Sequence, residues 1–184
     1  MTLRQVTQAA ARLRESGVIL HATEGVWGLA CDAFDEAAVA RLLSLKQRPV
    51  SKGLIVIGAS EVEFGPELAA LGSSERSAVL ESWPGAVTWL VPNKQFPRWI
   101  TGGRTTVAVR VPGHPQARAL CAEFGGPLVS TSANPGGRPP ALTALTARGY
   151  FPRQVDYLLP GDVIRPGISS SIRDLSGAVL RGAG

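Results

Sequence analysis

Four stretches of the chain carry residues whose types and spacing suit chemistry. Lys46-Gln47-Arg48-Pro49-Val50-Ser51-Lys52-Gly53 puts three cations on one turn. Arginine offers a planar fork and lysine a compact charge, a pairing suited to a triphosphate. The competing reading is a solvated basic loop, the commoner fate of such runs. Lys46 lies seven residues beyond Val39, so an apolar helical stripe ends in an ammonium group. That group either snorkels to water or points into a pocket at the helix end. Ser130-Thr131-Ser132-Ala133-Asn134 supplies donors and acceptors without bulk, suiting phosphate or carboxylate, or is simply a hydroxyl-rich turn before Pro135. In Ala22-Thr23-Glu24-Gly25-Val26-Trp27-Gly28, a hydroxyl, a carboxylate and an aromatic ring accompany two glycines. They either line a pocket for a small polar ligand or form a turn with Trp27 in the core. Arg110 interrupts a valine strand, where it pairs with the carboxylate of a bound amino acid or lies on an exposed sheet face. The late runs Ser169-Ser170-Ser171-Ile172-Arg173-Asp174 and Leu180-Arg181-Gly182 offer further polar groups.

Several familiar devices are missing. The chain has no GxxxxGK[ST] loop, no GxGxxG fingerprint after a strand, no HExxH and no GxSxG elbow. No cysteine–histidine cluster has zinc spacing, and a Ser-His-Asp device would have to use His21 or His114. What remains is an enzyme that works by positioning and fixed positive charge, or a binding module.

The elements that must hold these residues read as follows. Val6, Ala9, Ala10 and Leu13 predict an opening helix stopped by Gly17. Val18-Ile19-Leu20-His21 reads as a buried strand running into a loop from Ala22 to Gly28. Asp35 caps a helix with Val39, Leu42 and Leu43 on its apolar stripe, ended by Pro49. Leu54-Ile55-Val56-Ile57 is a second buried strand. A helix through Ala78-Val79-Leu80 stops at Trp83-Pro84-Gly85, and a strand follows over Ala86 to Val91. Thr106 to Val111 alternates, with three valines on one face and Arg110 opposite. His114-Pro115 opens a helix that Gly125-Gly126 ends, and Pro127-Leu128-Val129 is a short strand leading into the serine-rich stretch. A short helix near Leu142 to Arg148 and strands near Tyr157, Ile172 and Val179 complete the pattern. Interleaved strands and helices without a long linker predict one α/β domain over residues 1–184.

At 184 residues and 45% hydrophobic content the chain can bury a sizeable core. Its charge of +5 favours an anionic partner such as a nucleotide or RNA. No apolar run approaches the roughly eighteen residues of a membrane span, and the N-terminus lacks the unbroken apolar stretch of a secretory signal. Cys31 and Cys121 stand far apart and read as buried thiols. A cytoplasmic location is the expectation.

In this order, the segments resemble the YrdC/TsaC family of threonylcarbamoyl-AMP synthases. The resemblance is carried by Thr23-Glu24 with Trp27-Gly28, Leu45-Lys46-Gln47-Arg48-Pro49 with Lys52-Gly53-Leu54-Ile55, and Trp83-Pro84-Gly85 with Val87-Thr88. Val107-Ala108-Val109-Arg110-Val111 with His114-Pro115, and Ser130-Thr131-Ser132-Ala133-Asn134, complete it from about Val18 to Arg181. The resemblance implies a twisted mixed β-sheet flanked by helices around a deep basic cavity. It implies the synthesis of L-threonylcarbamoyladenylate and pyrophosphate from L-threonine, bicarbonate or CO2 and ATP, for N6-threonylcarbamoyladenosine in tRNA. ATP comes as substrate with Mg²⁺, and no tightly bound cofactor or protein-held metal is expected. The adenylate passes to tRNA directly or through a downstream transfer complex.

By the same resemblance Lys46, Arg48 and Lys52 face the ATP phosphates with Ser132 and Asn134 nearby, as the catalytic set. Thr106 and Arg181 are further nucleotide contacts, while Thr23, Arg110, Ser130 and Ser170 contact threonine. The chain departs from the family pattern at Ala22, at Trp27, which replaces a smaller aromatic and would reshape the pocket, and at Gly136, where a serine is usual. No role is carried to Ile57. Two rivals stand beside this expectation: a double-stranded RNA or tRNA-binding module without catalysis, and a carbamoyl-phosphate-dependent transferase. Against the first, aromatics are only 6% and no RNA-recognition signature is present.

Overall fold

Thr2 and Gln5 exchange side-chain-to-backbone hydrogen bonds, a reciprocal cap that starts helix α1 (Leu3–Arg14). The computed structural model describes residues 2–182, so Met1, Ala183 and Gly184 of the expected domain lie outside the described residues. The chain continues through β1 (Ile19–Ala22), β2 (Trp27–Asp32), α2 (Glu36–Lys46), β3 (Ile55–Ile57), α3 (Gly65–Leu68), α4 (Ser73–Glu81), β4 (Val87–Pro92) and α5 (Arg98–Thr101). It ends through β5 (Thr106–Arg110), α6 (Pro115–Phe124), β6 (Leu128–Ser132), α7 (Ala144–Tyr150), β7 (Tyr157–Leu158), β8 (Ser171–Arg173) and β9 (Val179–Arg181). Local chemistry explains several boundaries. Asp35 accepts from the Ala38 amide to cap α2, and Pro115 fills the first turn of α6. α2 ends before Pro49, because Gln47 turns left-handed at φ 51°.

Among the described residues the strands form one mixed sheet in the order β7-β1-β2-β6-β3-β5-β4-β8-β9. The pairs β1–β7, β3–β5 and β4–β8 are parallel and the rest antiparallel. Two strand expectations change. The loop expected from Ala22 to Gly28 is confined to 23–26, where the Val26 carbonyl accepts from both the amide and the hydroxyl of Thr23; Ala22 still belongs to β1 and Trp27 already begins β2. β2 is buried on both faces and so lacks the alternation that marks a half-exposed strand. Likewise β6 runs on through Ser130 and Ser132, because pairing with β2 continues to Ser132↔Gly28.

The sheet has two unlike faces. On one, Leu20, Leu29, Val56, Val109 and Val129 join the main core with Val39 and Leu42 of α2. On the other, Ile19, Ala30, Ile57 and Leu128 pack under Val6, Ala9 and Leu13 of α1 and Ala117, Leu120 and Cys121 of α6. These two helices cover only part of that second face. The remainder, over β6, β3, β5, β4, β8 and β9, borders a cavity of about 440 Å³.

Candidate active site

Strand alternation builds the cavity wall. Along β5, Val107 and Val109 are core residues, while Thr106, Ala108 and Arg110 turn to the opposite face and line the cavity. Register extends this face sideways: Ile55 lies beside Ala108, Leu90 beside Ala108 on the other flank, and Arg181 beside Ile172.

Arg110 does not lie on an exposed face. It is 6% exposed, and its Nη2 stands 3.2 Å from Glu24 Oε2. Burial lowers the guanidinium's pKa, and the Glu24 carboxylate opposes that shift. Glu24 also accepts from the Gly113 amide at 2.6 Å, so the turn between β1 and β2 is pinned to the chain leaving β5. Thr23 and Ser130 are buried at the same end. Ser130 Oγ is 3.1 Å from His21 Nε2, and Ser170 Oγ is 3.3 Å from Thr88 Oγ1. This end of the cavity is a buried cluster of hydroxyls around one ion pair.

The other wall is cationic. Arg48, Lys52, Arg104 and Arg181 line it, with Arg48 half-buried and the other three exposed at the rim. Among the described residues no carboxylate forms an ion pair with any of these four. Arg48 donates to the Gly53 carbonyl at 2.9 Å, yet its Nε is buried without a partner. Burial, followed by repulsion from Arg181 and Arg104, lowers its pKa. Like charges held together without counter-ions mark a place where a multivalent anion lowers the energy.

Lys46 has a different setting. It is 5% exposed, does not border the cavity, and donates to the carbonyls of Ser132 and Asn134 and to Asn134 Oδ1. Burial, with Arg48 adding repulsion, pulls its pKa down to about 8. Asn134 also stands outside the lining: its Oδ1 accepts from Ser132 Oγ at 2.6 Å and its amide donates to the Arg138 carbonyl at 2.6 Å. Lys46 and Asn134 thus brace the end of β6 from behind, while Ser132 faces the cavity. Trp27 is 1% exposed in the main core and lines nothing, so the larger ring does not reshape the pocket.

Three features escaped the sequence reading. Glu24 was visible in its motif, but its pairing with Arg110 spans 86 residues and needs the fold. Arg104 follows Gly102 and Gly103, both at positive φ, and that glycine pair before a strand was the available signal. The strap before β8 packs on the turn before β2: the Arg165 and Gly167 amides donate to the carbonyls of Glu24 and Gly25 at 2.7 and 2.9 Å. Among the described residues no group of three or more His, Cys, Asp and Glu side chains is arranged to hold a metal ion.

The chain matches the model of the Sua5/YciO/YrdC family, described by the words telomere recombination, over residues 11–183. It is 50% identical to a threonylcarbamoyl-AMP synthase of Cellvibrio japonicus over 179 residues, covering 96% of this chain and 95% of that one. It is 49% identical to a threonylcarbamoyl-AMP synthase of Halorhodospira halophila, again over 179 residues, covering 96% and 94%. The structure of P. abyssi Sua5 complexed with L-threonine superposes with a TM-score of 0.90 at 32% identity. That match covers 97% of this chain and 54% of Sua5, so the chain spans about half the length of that protein.

Proposed function

The chain belongs to the Sua5/YciO/YrdC family, and from that premise we propose that it is an L-threonylcarbamoyl-AMP synthase. The observation that carries the reading is one cavity with two chemically different ends. A cluster of buried Arg110, Thr23 and Ser130 with half-buried Ser170 suits a small amino acid, and an uncompensated cationic rim suits a triphosphate. L-Threonine is the amino acid and ATP the nucleotide.

The chemistry asks for no protein nucleophile. The threonine amine attacks CO2, forming an N–C bond as the nitrogen's proton leaves to solvent. With bicarbonate the same N–C bond replaces the C–OH bond, and the hydroxide leaves with that proton as water. A carbamate oxygen then attacks the α-phosphorus of ATP. The new O–P bond replaces the bond to the bridging oxygen, and pyrophosphate departs with that electron pair. Two anions must approach each other, so the main contribution of the protein is to hold them and offset their repulsion. Arg48, Lys52 and Arg181 do this along the phosphates, joined by Arg104, with Thr106 and Ser132 as neutral contacts. Arg110 takes the threonine carboxylate. Lys46 and Asn134 support the reaction by fixing the Ser132 turn. Among the described residues Glu24 is the one carboxylate lining the cavity, and it is already engaged by Arg110 and Gly113; Mg²⁺ then enters on the triphosphate as part of the substrate.

The product is a mixed anhydride that hydrolyses readily, so a transfer reaction to tRNA must consume it. We place the protein in the cytoplasm beside that step. No helix among the described residues is long and apolar enough to cross a membrane.

The test is pyrophosphate release from MgATP with threonine and bicarbonate each supplied or withheld. Release that requires both is the expected result. Salt-dependent RNA binding without turnover would replace this reading with the binding-module one. Turnover that accepts carbamoyl phosphate in place of ATP and bicarbonate would replace it with the transferase one.

A further inference from the structure

His21 lies opposite Gly28 in the β1–β2 ladder, and Gly28 lies opposite Ser132 in the β2–β6 ladder. The imidazole is fully buried and passes over Gly28, where a Cβ would come within 3.0 Å of Nε2. It ends 3.1 Å from Ser130 Oγ, two strands away. Ser130 lines the cavity and His21 does not. Lacking a side chain, Gly28 lets the buried imidazole cross along this face of the sheet to a residue that forms the cavity wall.

The other ring nitrogen decides the direction of this hydrogen bond. His21 Nδ1 is buried and has no partner. Burial, followed by repulsion from His114 and Arg110, lowers the pKa of the ring to about 3, so it is neutral near pH 7. A neutral imidazole carries one N–H and one bare lone pair. The Ala22 backbone exerts a weak opposing pull on the ring but makes no well-formed hydrogen bond with Nδ1. A proton there would leave a poorly satisfied buried donor, a rare defect in folded proteins. A proton on Nε2 leaves only a lone pair unmatched. Nε2 then donates to Ser130 Oγ, and the hydroxyl proton of Ser130 has to point elsewhere.

We propose that His21 is a positioning residue that holds the Ser130 hydroxyl as a donor toward the carboxylate of the bound amino acid, in the same cavity as Arg110. This rests on the synthase reading. With the opposite tautomer Ser130 would give its proton to the ring and meet the carboxylate with lone pairs, a repulsive contact. One buried histidine thus sets the sign of one substrate contact without touching substrate.

Two measurements test it. Nitrogen-15 NMR of the ring in the wild-type protein should find the proton on Nε2; a proton on Nδ1 overturns the inference, whatever the variants do. In pyrophosphate-release kinetics, His21→Leu should raise KM for threonine about tenfold, the worth of one hydrogen bond to a charged group, with KM for ATP unchanged. His21→Gln, whose amide can place a donor where Nε2 lies, should restore most of the loss. The double variant with Ser130→Ala should be no worse than Ser130→Ala alone. An unchanged threonine KM in folded His21→Leu protein overturns the inference. So do equal rises in both KM values with a lowered Tm, which would make the histidine merely structural. If His21→Leu does not fold, His21→Gln and the NMR assignment still decide. A wild-type protein that releases no pyrophosphate with threonine overturns the synthase reading instead.

Discussion

Arg48 is held by a single firm bond, to the Gly53 carbonyl, and leaves an unpartnered Nε beside two other arginines. A group so placed contributes little to folding and much to binding an anion. Arg48→Ala should therefore lower kcat/KM by about a hundredfold or more, a loss typical of removing one transition-state donor. Its Tm should stay within a few degrees of wild type, and steady-state kinetics beside a melting curve check both. Lys46 behaves oppositely, because its ammonium is spent on carbonyls. Its pKa, brought down to about 8 from 10.5, means the unfolded chain holds the extra proton between those values. The Lys46 contribution to stability must then rise with pH through that window. In urea denaturation across about pH 8 to 10.5, wild type should gain stability relative to Lys46→Met, while the buried thiols of Cys31 and Cys121, whose pKa burial raises, pull both proteins the other way at the alkaline end. The residue types at both positions were legible in the sequence. Which one faces the cavity was not, because helix α2 presents its last turn to the end of β6, a relation of strand order alone.

At the scale of elements, the strap before β8 crosses the turn between β1 and β2 so tightly that Gly25 has no room for a side chain. A Cβ there would stand 1.7 Å from the Ile168 carbonyl oxygen. Backbone meets backbone, so neither side can yield by rotating a side chain. Gly25→Ala should cost about 1–3 kcal/mol through overpacking and should free the strap. Hydrogen exchange checks it, with the Arg165 and Gly167 amides losing their protection. The strap brings Ser169 and Ser170 to the cavity, so threonine affinity should fall with it. Periodicity found helices α1, α2 and α6 because each has one apolar stripe. It missed β2, whose burial on both faces leaves no alternation to read.

For the whole molecule, the two ends of the cavity differ in how water reaches them. Exposed charges are screened by salt and buried pairs far less. Raising ionic strength from about 0.05 to 0.5 M should raise KM for ATP severalfold, since Lys52, Arg104 and Arg181 are exposed. KM for threonine should change less, since Arg110 is buried. The sheet itself depends on the main core beneath it. Leu42→Ala, at a fully buried position on α2, should cost about 2–5 kcal/mol in urea unfolding. Substrate KM values should stay near wild type wherever the variant remains folded.

The sequence by itself determined the α/β class, the order of the charged and hydroxyl-bearing stretches, and the strand on which Arg110 opposes three valines. Those properties are local: a period, a cap or a run of residue types is written in neighbouring positions. Only the tertiary structure decided that Glu24 meets Arg110, that Arg104 joins Arg48 and Arg181, that Trp27 belongs to the core, and that His21 reaches Ser130 over a glycine. Each of these depends on which strands lie side by side. Pairings between segments far apart in sequence are fixed by the packing of the whole sheet, and no stretch of residues carries them alone.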